Sequence, residues 1–565
     1  MSKALNKLDQ QPTPSSDIAL PQLRRQLGGE LSAAELEAAA TRVQPSAEFL
    51  EYARMGNAPA NALGVLQGAD NWANFVDEVK VGLGSMRRTS AGPDGMLPRH
   101  LVQLCFDDDD ALSAYARYLV VLANGFMPER AIAAHAMSLL VPIAKAQRAD
   151  LMVADGDGSF VEVPAVGPGA VSVRGIQVGN ADRRMVAKLV FQRNISAIRA
   201  AVGPAQLALA PHGADIISTA VEVSLCKGEG HVVAIWDAEN GYGNVSRVRA
   251  FEQLYADVKP AVPYVRTLYR QHEPNTAVFY DDNGTCHGFS TAEGFEQGCP
   301  LSGALYSLGV RASHEALQRA HPAVAAPSYV DDNVLLGTYV DVAAALTTAL
   351  DPAGDYACGS NTRAKVGKIK VWSATELTVE QRALFPAGVE VLPSEQGIVV
   401  LGVPHGQPAW VRATAQRIAA KRLAPLREGH LLGRLALQNQ LLLVRTGVNR
   451  RPDFLGRGVP PELLEPTATM WDDEMRAYMS RSLGVGQLSL AATLQMSLPV
   501  KLGGLGLTSK VGTSAIEHVS AWLSSIDAVV AKFPTLDDVA RGLSEVTARI
   551  VEGEEGGPSA FRARP

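Results

Sequence analysis

Two adjacent carboxylates, Asp331 and Asp332, lie between short apolar runs, and this stretch constrains the fold more than any other in the chain. The flanking residues, Tyr329-Val330 and Val334-Leu335-Leu336, are of the types that favour half-buried β-strands. The stretch therefore predicts a β-hairpin with two acids at its tip. Two carboxylates held side by side repel one another unless they share a proton or a cation, so we expect a divalent metal ion at this hairpin.

The sequence holds other Asp-Asp pairs, but their surroundings differ. Residues 107–110 form an acidic run typical of a solvated loop, and residues 281–284 have the composition of a turn between two strands. The pairs that begin at Asp472 and Asp537 are typical of exposed helix faces. The dipeptide by itself therefore indicates little, and the strand-forming neighbours single out the pair at 331.

A third aspartate ends an apolar run that extends from His231 to Asp237. The near-continuous apolar residues predict a buried strand, and Asp237 lies at its carboxyl end, where ligands and metals commonly bind. Asp237 can meet the pair at 331 only if the two strands are neighbours in one sheet. Three converging carboxylates would suffice to hold two divalent cations for in-line phosphoryl chemistry.

The composition indicates a globular chain of several domains, because its 565 residues are 47% hydrophobic and 19% charged. No apolar run is long enough to span a membrane, and Met1 to Pro21 lack the apolar core of a signal peptide. We therefore expect a soluble intracellular protein, nuclear or cytoplasmic, without a membrane partner. The five cysteines form no Cys-x-x-Cys pair and no zinc-type cluster, which argues against a disulfide framework and a zinc finger.

Positive charge is concentrated in two stretches, although the net charge is −6. Ten Lys or Arg residues accompany two acids between Ala409 and Arg457, and six accompany one acid between Arg174 and Arg199. Such an excess indicates a phosphate-binding channel, and solvated helix faces are the alternative explanation. Arg174 and Lys145 also lie on neighbouring extended segments, where they could grip a triphosphate or form ordinary surface salt bridges.

The residues between Asp237 and the hairpin at 331 predict two further features. Residues 277–289 contain an Asp-Asp-Asn-Gly turn between apolar segments, which predicts a second β-hairpin. Gly298 permits a tight bend, and Pro300 suits the first turn of a helix that runs toward Ala320.

Four segments, in one order along the chain, resemble the polymerase domain of reverse transcriptases, particularly those of non-LTR retrotransposons. The segments are Ala91-Gly-Pro-Asp-Gly95, Asp237-Ala-Glu-Asn-Gly-Tyr242, Gln297-Gly-Cys-Pro-Leu-Ser302 and Tyr329-Val-Asp-Asp332. Further matches extend the resemblance to about residues 80 to 510, and they are Arg174-Gly-Ile176, Gly359 through Lys368 to Trp372, Val400 to Pro404 and Pro499 to Gly506. Gly175, Cys299 and Gly303 replace commoner family residues, but none of these departures removes a metal ligand.

The resemblance implies an α+β fold of the right-hand polymerase type, with fingers, an antiparallel-sheet palm and a helical thumb. It divides the chain into an N-terminal extension (1–79), fingers and palm (80–408), a thumb-like helical region (409–510) and a C-terminal helical extension with a flexible tail (511–565). About the first 30 residues are polar and are expected to be disordered.

The implied activity is that of an RNA-directed DNA polymerase of non-LTR retrotransposon origin, which extends a primer by two-metal-ion nucleotidyl transfer. Asp237, Asp331 and Asp332 would hold two Mg²⁺ ions, which Mn²⁺ can replace. Lys368 would donate a proton to the leaving group, and Lys365 is an equal candidate for that role.

The resemblance also assigns nucleotide-binding roles. Lys145 and Arg174 would clamp the triphosphate. Tyr242 would pack against the sugar and exclude a 2′-hydroxyl, and Gln297 and Gly298 would line the nascent base pair. The expected partners are an RNA template, a DNA or RNA primer and deoxynucleoside triphosphates (dNTPs), with the basic segment 409–457 contacting the duplex.

Two other functions remain open. An RNA-dependent RNA polymerase shares the palm and its metals, although a bulky ring at Tyr242 penalises ribonucleotides. A catalytically inactive or domesticated RNA-binding protein could also keep the polymerase-like fold. The presence of all three carboxylates argues against that second alternative, because an inactive protein has no need to retain them.

Overall fold

The structure is a computed structural model, and it describes residues 16–27, 30–31, 69–87, 89–127, 129–144, 151–154, 160–163, 173–269, 275–354, 356, 360–427 and 431–542. Its strands in chain order are β1 (Glu30–Leu31), β2 (Ser138–Ala144), β3 (Leu151–Ala154), β4 (Phe160–Val163), β5 (Val173–Gly179), β6 (His231–Asp237), β7 (Asn275–Tyr280), β8 (Cys286–Thr291), β9 (Ser328–Tyr329), β10 (Asp332–Thr338), β11 (Lys370–Ser373), β12 (Glu390–Val391), β13 (Gly397–Val400) and β14 (Val403–Gly406).

Its α-helices in chain order are α1 (Ser16–Leu27), α2 (Ala69–Met86), α3 (Pro98–Cys105), α4 (Asp109–Ala123), α5 (Glu129–Ala136), α6 (Ala181–Arg193), α7 (Ile195–Ala201), α8 (Gly213–Leu225), α9 (Gly241–Asn244), α10 (Arg247–Asp257), α11 (Val262–Leu268), α12 (Ser302–Ala320), α13 (Tyr339–Leu350), α14 (Val379–Arg382), α15 (Pro408–Arg422), α16 (Leu437–Leu443), α17 (Asp453–Gly458), α18 (Pro461–Leu483), α19 (Leu490–Ser497) and α20 (Lys510–Lys532). Many helices and several small sheets make this an α+β fold, in agreement with the expected class. Within the described ranges, no helix is both long and apolar enough to cross a membrane.

The sheet with the order β12-β11-β6-β10-β9 is named the central sheet here. Its middle strand, β6, pairs antiparallel with β10 on one side and with β11 on the other. Val233 packs in a hydrophobic cluster with α8, whereas Val232 and Ala234 pack in a different cluster with α13. Because both faces of β6 are covered, its sequence is apolar at successive positions, and the predicted buried strand that ends at Asp237 is confirmed.

A second sheet, named the N-terminal sheet, has the order β1-β8-β7-β2-β5. β7 and β8 form the hairpin predicted for residues 277–289. The Asp281 carboxylate accepts hydrogen bonds from the backbone N–H groups of Asn283 (3.0 Å) and Thr285 (2.8 Å), and Gly284 adopts a φ of +80°. Asp and Gly therefore shape this turn in the way that their residue types predict. β5, which carries Arg174, is an edge strand of this sheet.

The expectation of disorder over about the first 30 residues is wrong for α1. Ala19 and Leu23, one helical turn apart, are completely buried in a cluster with Leu140, Phe279 and Phe289 of the N-terminal sheet. The segment is polar on average, but two apolar residues at this spacing give it one face that a sheet can cover. Residues 1–15 and the C-terminal tail from 543 lie outside the described residues.

Helices from both ends of the chain pack onto its middle. α2 runs across residue 80 and contributes Phe75 and Val79 to the same hydrophobic cluster as Leu119 of α4. α20 packs against α8, α17 and α18. An ion pair between Arg457 of α17 and Asp215 of α8, with 3.0 Å between Nε and Oδ1, also joins the C-terminal helices to the layer behind the central sheet.

Two titratable side chains, buried His405 and largely buried Glu222, lie where α8, β14 and α20 meet. His405 of β14 lies 3.3 Å from the Ser218 hydroxyl and 3.9 Å from a carboxylate oxygen of Glu222, both on α8. Burial raises the pKa of Glu222 to about 8, although a hydrogen bond from Trp522 acts in the opposite direction. Burial lowers the pKa of His405 to about 4. Both pKa shifts favour the uncharged form of the group at neutral pH.

We predict that Glu222 makes the fold less stable in alkaline solution. The Glu222 carboxyl stays protonated up to about pH 8 in the folded protein, whereas in the unfolded chain it ionises near its ordinary pKa. The free energy of unfolding therefore falls as the pH rises between these two pKa values, by about 1.4 kcal/mol per pH unit at most. Glu222→Gln should remove that loss in thermal unfolding measured from pH 5 to 9, whereas Glu465→Gln, on an exposed part of α18, should not. Parallel pH profiles of wild type and Glu222→Gln would contradict this.

Candidate functional site

The three aspartates singled out in the sequence lie at adjoining ends of β6 and β10. Asp237 and Asp332 are directly opposed in the antiparallel register, and residues opposed in this way have Cα atoms about 4.5–5.5 Å apart and side chains on one face of the sheet. Asp331 precedes Asp332, and its carbonyl oxygen accepts a hydrogen bond from the Ala238 N–H at 3.4 Å. The expectation that these strands are neighbours is therefore confirmed.

The hairpin between β9 and β10 has a two-residue turn. Tyr329 is opposite Asp332, which leaves Val330 and Asp331 at the tip. Val330 has a φ of +55°, in the left-handed region that β-branched residues rarely adopt. The predicted hairpin is confirmed, and its turn is strained immediately next to the paired acids.

Asp331 is in an environment that disfavours its negative charge. Burial raises its pKa, and the neighbouring Asp237 carboxylate raises it further, while Arg174 and Lys368 act in the opposite direction. Each of these groups is therefore close enough to Asp331 to affect its ionisation. A bound cation would relieve the same repulsion.

Lys368 contacts the site directly. Its ammonium group donates a hydrogen bond to Asp237 Oδ2 at 2.7 Å, in a pair that is partly open to solvent. Lys368 ends a short 3₁₀ turn just before β11, and the pairing of β11 with β6 brings this turn beside Asp237. Of the two lysines left open by the sequence, Lys368 is the one that contacts Asp237.

The donor set suits a hard divalent cation, because Mg²⁺ and Mn²⁺ prefer carboxylate oxygens. The side chains are not, however, arranged as a finished metal site: among the described residues, no three His, Cys, Asp or Glu side chains are grouped closely enough to hold a metal ion. Lys368 supplies the positive charge at Asp237 instead. If a metal binds here, Asp237, Asp331 and Asp332 would hold it, and the Lys368 ammonium would have to move.

Arg174, on the N-terminal sheet, is a second cation near the aspartates. Arg174 is exposed on β5. Burial raises the pKa of both Asp331 and Tyr242, and the charge of Arg174 partly offsets this increase. β5 pairs with β2 so that Arg174 is opposite Ile143, two residues before Lys145. Lys145 itself, like Gly359 of the later segment, lies outside the described residues.

Tyr242 lies beside the aspartates, stacked on Tyr306 with ring centroids 5.2 Å apart. Its carbonyl oxygen accepts a hydrogen bond from the Phe295 N–H at 2.6 Å, which fixes its backbone. The side chain is half-buried, and burial, followed by the charge of Asp331, raises its pKa to about 12. The ring is therefore held in place at the edge of the site.

Gln297 and Gly298 form a bend that lies against β5 of the N-terminal sheet. The Gln297 carbonyl accepts a hydrogen bond from the Gln177 N–H of β5 at 2.9 Å. Gly298 has a φ of +132°, and a Cβ atom there would be 2.4 Å from the Gln177 carbonyl oxygen. Glycine is therefore required at this position on both conformational and steric grounds.

A buried ion pair anchors this bend, and the sequence did not indicate it. Glu296, next to Gln297, pairs with Arg183, and both side chains are almost completely buried. Arg183 also donates hydrogen bonds to the carbonyl oxygens of Ala136 (2.9 Å) and Met137 (3.1 Å). The predicted phosphate-binding role for the basic stretch 174–199 is therefore wrong for Arg183, because this side chain is buried and paired with Glu296.

The longer basic stretch, 409–457, is divided between structural and exposed cations. Arg457 is paired with Asp215. The exposed members are Arg412, Lys421, Arg422, Arg427, Arg434 and Arg450. Arg450 lies 3.4 Å from Asp453, so it is partly neutralised. Several cations of this stretch therefore lie at the protein surface.

A second residue that the sequence did not indicate is Gln206. Its side chain forms hydrogen bonds with the backbone of Val330 at the tip of the hairpin. It lies in the segment Pro204-Ala-Gln-Leu207, which has no charged residue to mark it as part of a site. Only the three-dimensional contact connects it to the site.

Comparison with known proteins gives no family assignment. No family model matches the chain, and no curated protein sequence gives a significant match. The function of the site is therefore inferred from its own residues.

We predict that Gly298→Ala disrupts the connection between Gln297 and β5. The added methyl would collide with the Gln177 carbonyl and would have to adopt an unfavourable φ, so thermal or urea unfolding should show a loss of about 1–3 kcal/mol. Gly486→Ala is the matched control, because its Cβ meets no atom within 4 Å and its φ is not positive. Equal stability of the two variants would contradict the prediction.

Proposed function

We propose that this chain is an RNA-directed DNA polymerase that extends a primer by nucleotidyl transfer at Asp237, Asp331 and Asp332. The observation that carries the proposal is the register of β6 and β10, which opposes Asp237 and Asp332 and puts Asp331 in the adjoining turn. Acidic side chains are rarely brought together without a compensating cation, and here Arg174 and Lys368 influence the same carboxylates. Two cationic side chains beside clustered carboxylates suit a substrate that arrives as a metal triphosphate.

A pair of divalent cations bound by these aspartates would lower the pKa of a primer 3′-hydroxyl and neutralise charge on the departing pyrophosphate. The protein's own part is to hold the three carboxylates together and to orient the nucleotide. Arg174, exposed on β5, is suited to bind a phosphate oxygen through its guanidinium. Lys368 is suited to leave Asp237 and donate a proton to the leaving group.

The surroundings of the aspartates support a preference for deoxynucleotides. The Tyr242 ring is fixed by Tyr306 beside Asp331, where it would meet the sugar of a nucleotide bound at the carboxylates. A ring in that position leaves little room for a 2′-hydroxyl. Gln297 and Gly298 hold a backbone bend against β5, and they would contact the nascent base pair.

The two sheets and the C-terminal helices correspond in our proposal to the parts of a right-hand polymerase. The central sheet would be the palm, and the N-terminal sheet with its helices would belong to the fingers. The helices that carry the exposed cations of 409–457 would form the thumb and contact phosphates of a primer and RNA template. The division of the chain at about residues 80, 408 and 510 is part of the same proposal.

We predict that Asp237→Asn and Asp331→Asn each lower dNTP incorporation on a primed RNA template by a factor on the order of 10³ or more, because an amide cannot replace a charged ligand. Single-turnover primer extension measures the rate, and thermal unfolding shows that the fold persists. Asp107→Asn, in an exposed acidic run, is the control and should extend primers normally. Wild-type extension by Asp331→Asn would refute the assignment, and binding of primed RNA without extension by wild type would favour an RNA-binding protein.

We predict that Tyr242→Ala relaxes the discrimination against ribonucleotides. Removing the ring opens the space for a 2′-hydroxyl, so the ratio of kcat/KM for dNTP to that for NTP should fall about tenfold or more, equivalent to about 1.4 kcal/mol. Tyr255→Ala, an exposed tyrosine on α10, is the control. If wild type prefers NTPs and Tyr242→Ala leaves that preference unchanged, the chain is an RNA-dependent RNA polymerase.

A further inference from the structure

The Gln206 side chain is bound to both backbone groups of one residue in the hairpin turn. The Val330 N–H donates a hydrogen bond to Gln206 Oε1 at 2.7 Å, and Gln206 Nε2 donates one to the Val330 carbonyl at 3.2 Å. Oε1 also accepts a hydrogen bond from the Ala208 N–H at 3.2 Å. Gln206 is only 2% exposed, so its side chain is buried against the hairpin.

The backbone around Gln206 is itself fixed to the hairpin. The Ser328 N–H of β9 donates a hydrogen bond to the Ala205 carbonyl at 2.8 Å, and the Leu207 N–H donates one to the Ser328 carbonyl, also at 2.8 Å. Residue 206 therefore lies alongside Ser328 in a parallel bridge at the edge of the central sheet. The amide group is carried by a rigid segment, which is what a positioning residue requires.

The residue that Gln206 holds is the strained one. Val330, at a φ of +55°, is in a conformation that its branched side chain disfavours, and it directly precedes Asp331. On the other side of the turn, Asn333 Nδ2 donates a hydrogen bond to the Asp331 carbonyl at 3.0 Å. A relaxed Val330 would rotate the peptide that leads into Asp331 and so move its carboxylate relative to Asp237.

We propose that Gln206 is a positioning residue that holds Val330 in its left-handed conformation and thereby keeps Asp331 next to Asp237. Its effect on catalysis depends on the proposed function, but its effect on the turn does not. Gln206 acts through Val330, so it is not itself a catalytic residue. The alternative is that the amide only satisfies buried backbone groups, in which case the conformation of Val330 does not depend on it.

The structure allows Gln206 to be replaced without overfilling its surroundings. A cavity of about 290 Å³, lined by Gln206 with Val202, Leu209, Ile216 and Ala528, borders the side chain. Gln206→Met keeps the length of the side chain and removes its hydrogen bonds. Gln206→Glu keeps the acceptor for the Val330 N–H and loses the donor to its carbonyl.

The test measures hydrogen exchange of the 331–335 backbone amides in the full chain for wild type, Gln206→Met, Gln206→Glu, Val330→Gly and the double variant Gln206→Met/Val330→Gly. The amide of residue 330 is left out, because Gln206→Met removes its acceptor in either background. Gln206→Met should raise exchange at the turn about tenfold or more, and Gln206→Glu should raise it less. Glycine adopts positive φ without strain, so Gln206→Met should add at most about twofold in the Val330→Gly background. Gln318→Met, which removes an amide bound to the His321 and Val324 carbonyls, is the control and should leave the 331–335 amides unchanged.

Primer extension by the same variants tests the consequence for catalysis. Gln206→Met should lower kcat about tenfold with little change in the KM for dNTP, and Val330→Gly should recover most of that loss. Unchanged exchange at the turn in Gln206→Met would overturn the proposal, and so would an equal effect of Gln206→Met in the wild-type and Val330→Gly backgrounds. If the exchange pattern is as expected but wild type extends no primer, Gln206 still holds the turn and the proposed polymerase function is wrong.

Discussion

The antiparallel pairing of β6 with β10 opposes two aspartates at the end of a buried pair of strands, and the whole candidate site depends on that contact. β6 is covered on both faces, so its register with β10 cannot slip without exposing apolar side chains. The strands therefore hold Asp237 against Asp332 even though like charges repel. Burial and Asp237 raise the pKa of Asp331, which is the electrostatic cost of this arrangement, and Lys368 and Arg174 partly offset it.

The segment that contains Glu296, Gln297 and Gly298 is held against the N-terminal sheet by buried polar groups. Removing two charges from water is costly, and a buried ion pair is favourable only when its remaining hydrogen-bonding groups are satisfied. Arg183 meets this condition, because it binds Glu296 and two backbone carbonyls. The pair fixes the residue before Gln297, which in turn binds β5, the strand of Arg174. Arg174 of this strand lies close enough to Asp331 for its charge to lower the pKa of that carboxyl.

Positive residues serve two purposes in this protein: some pair with carboxylates inside the fold, and others lie at its surface. Arg183 and Arg457 are paired with carboxylates and join segments that are distant in sequence. Arg174 and several cations of 409–457 are exposed, so their charge is available to phosphate groups. A count of Lys and Arg along the sequence cannot distinguish the paired cations from the exposed ones. Among the described residues, the stretch 409–457 therefore has more exposed cations than the stretch 174–199.

The sequence by itself determined the features that depend on near neighbours: the buried strand before Asp237, the hairpin at Asp331 and the Asp-Gly turn at 281–284. Apolar patterning and turn residues act over a few positions, so they can be recognised without a fold. The sequence did not predict helix α1, because its two buried residues are covered only when the N-terminal sheet is formed. It also did not predict the burial of Glu296, because the partner of that carboxylate, Arg183, is distant in the chain. Only the tertiary structure decided that Asp237 faces Asp332, that Lys368 contacts Asp237 and that Gln206 binds Val330, because each contact joins residues far apart in the chain.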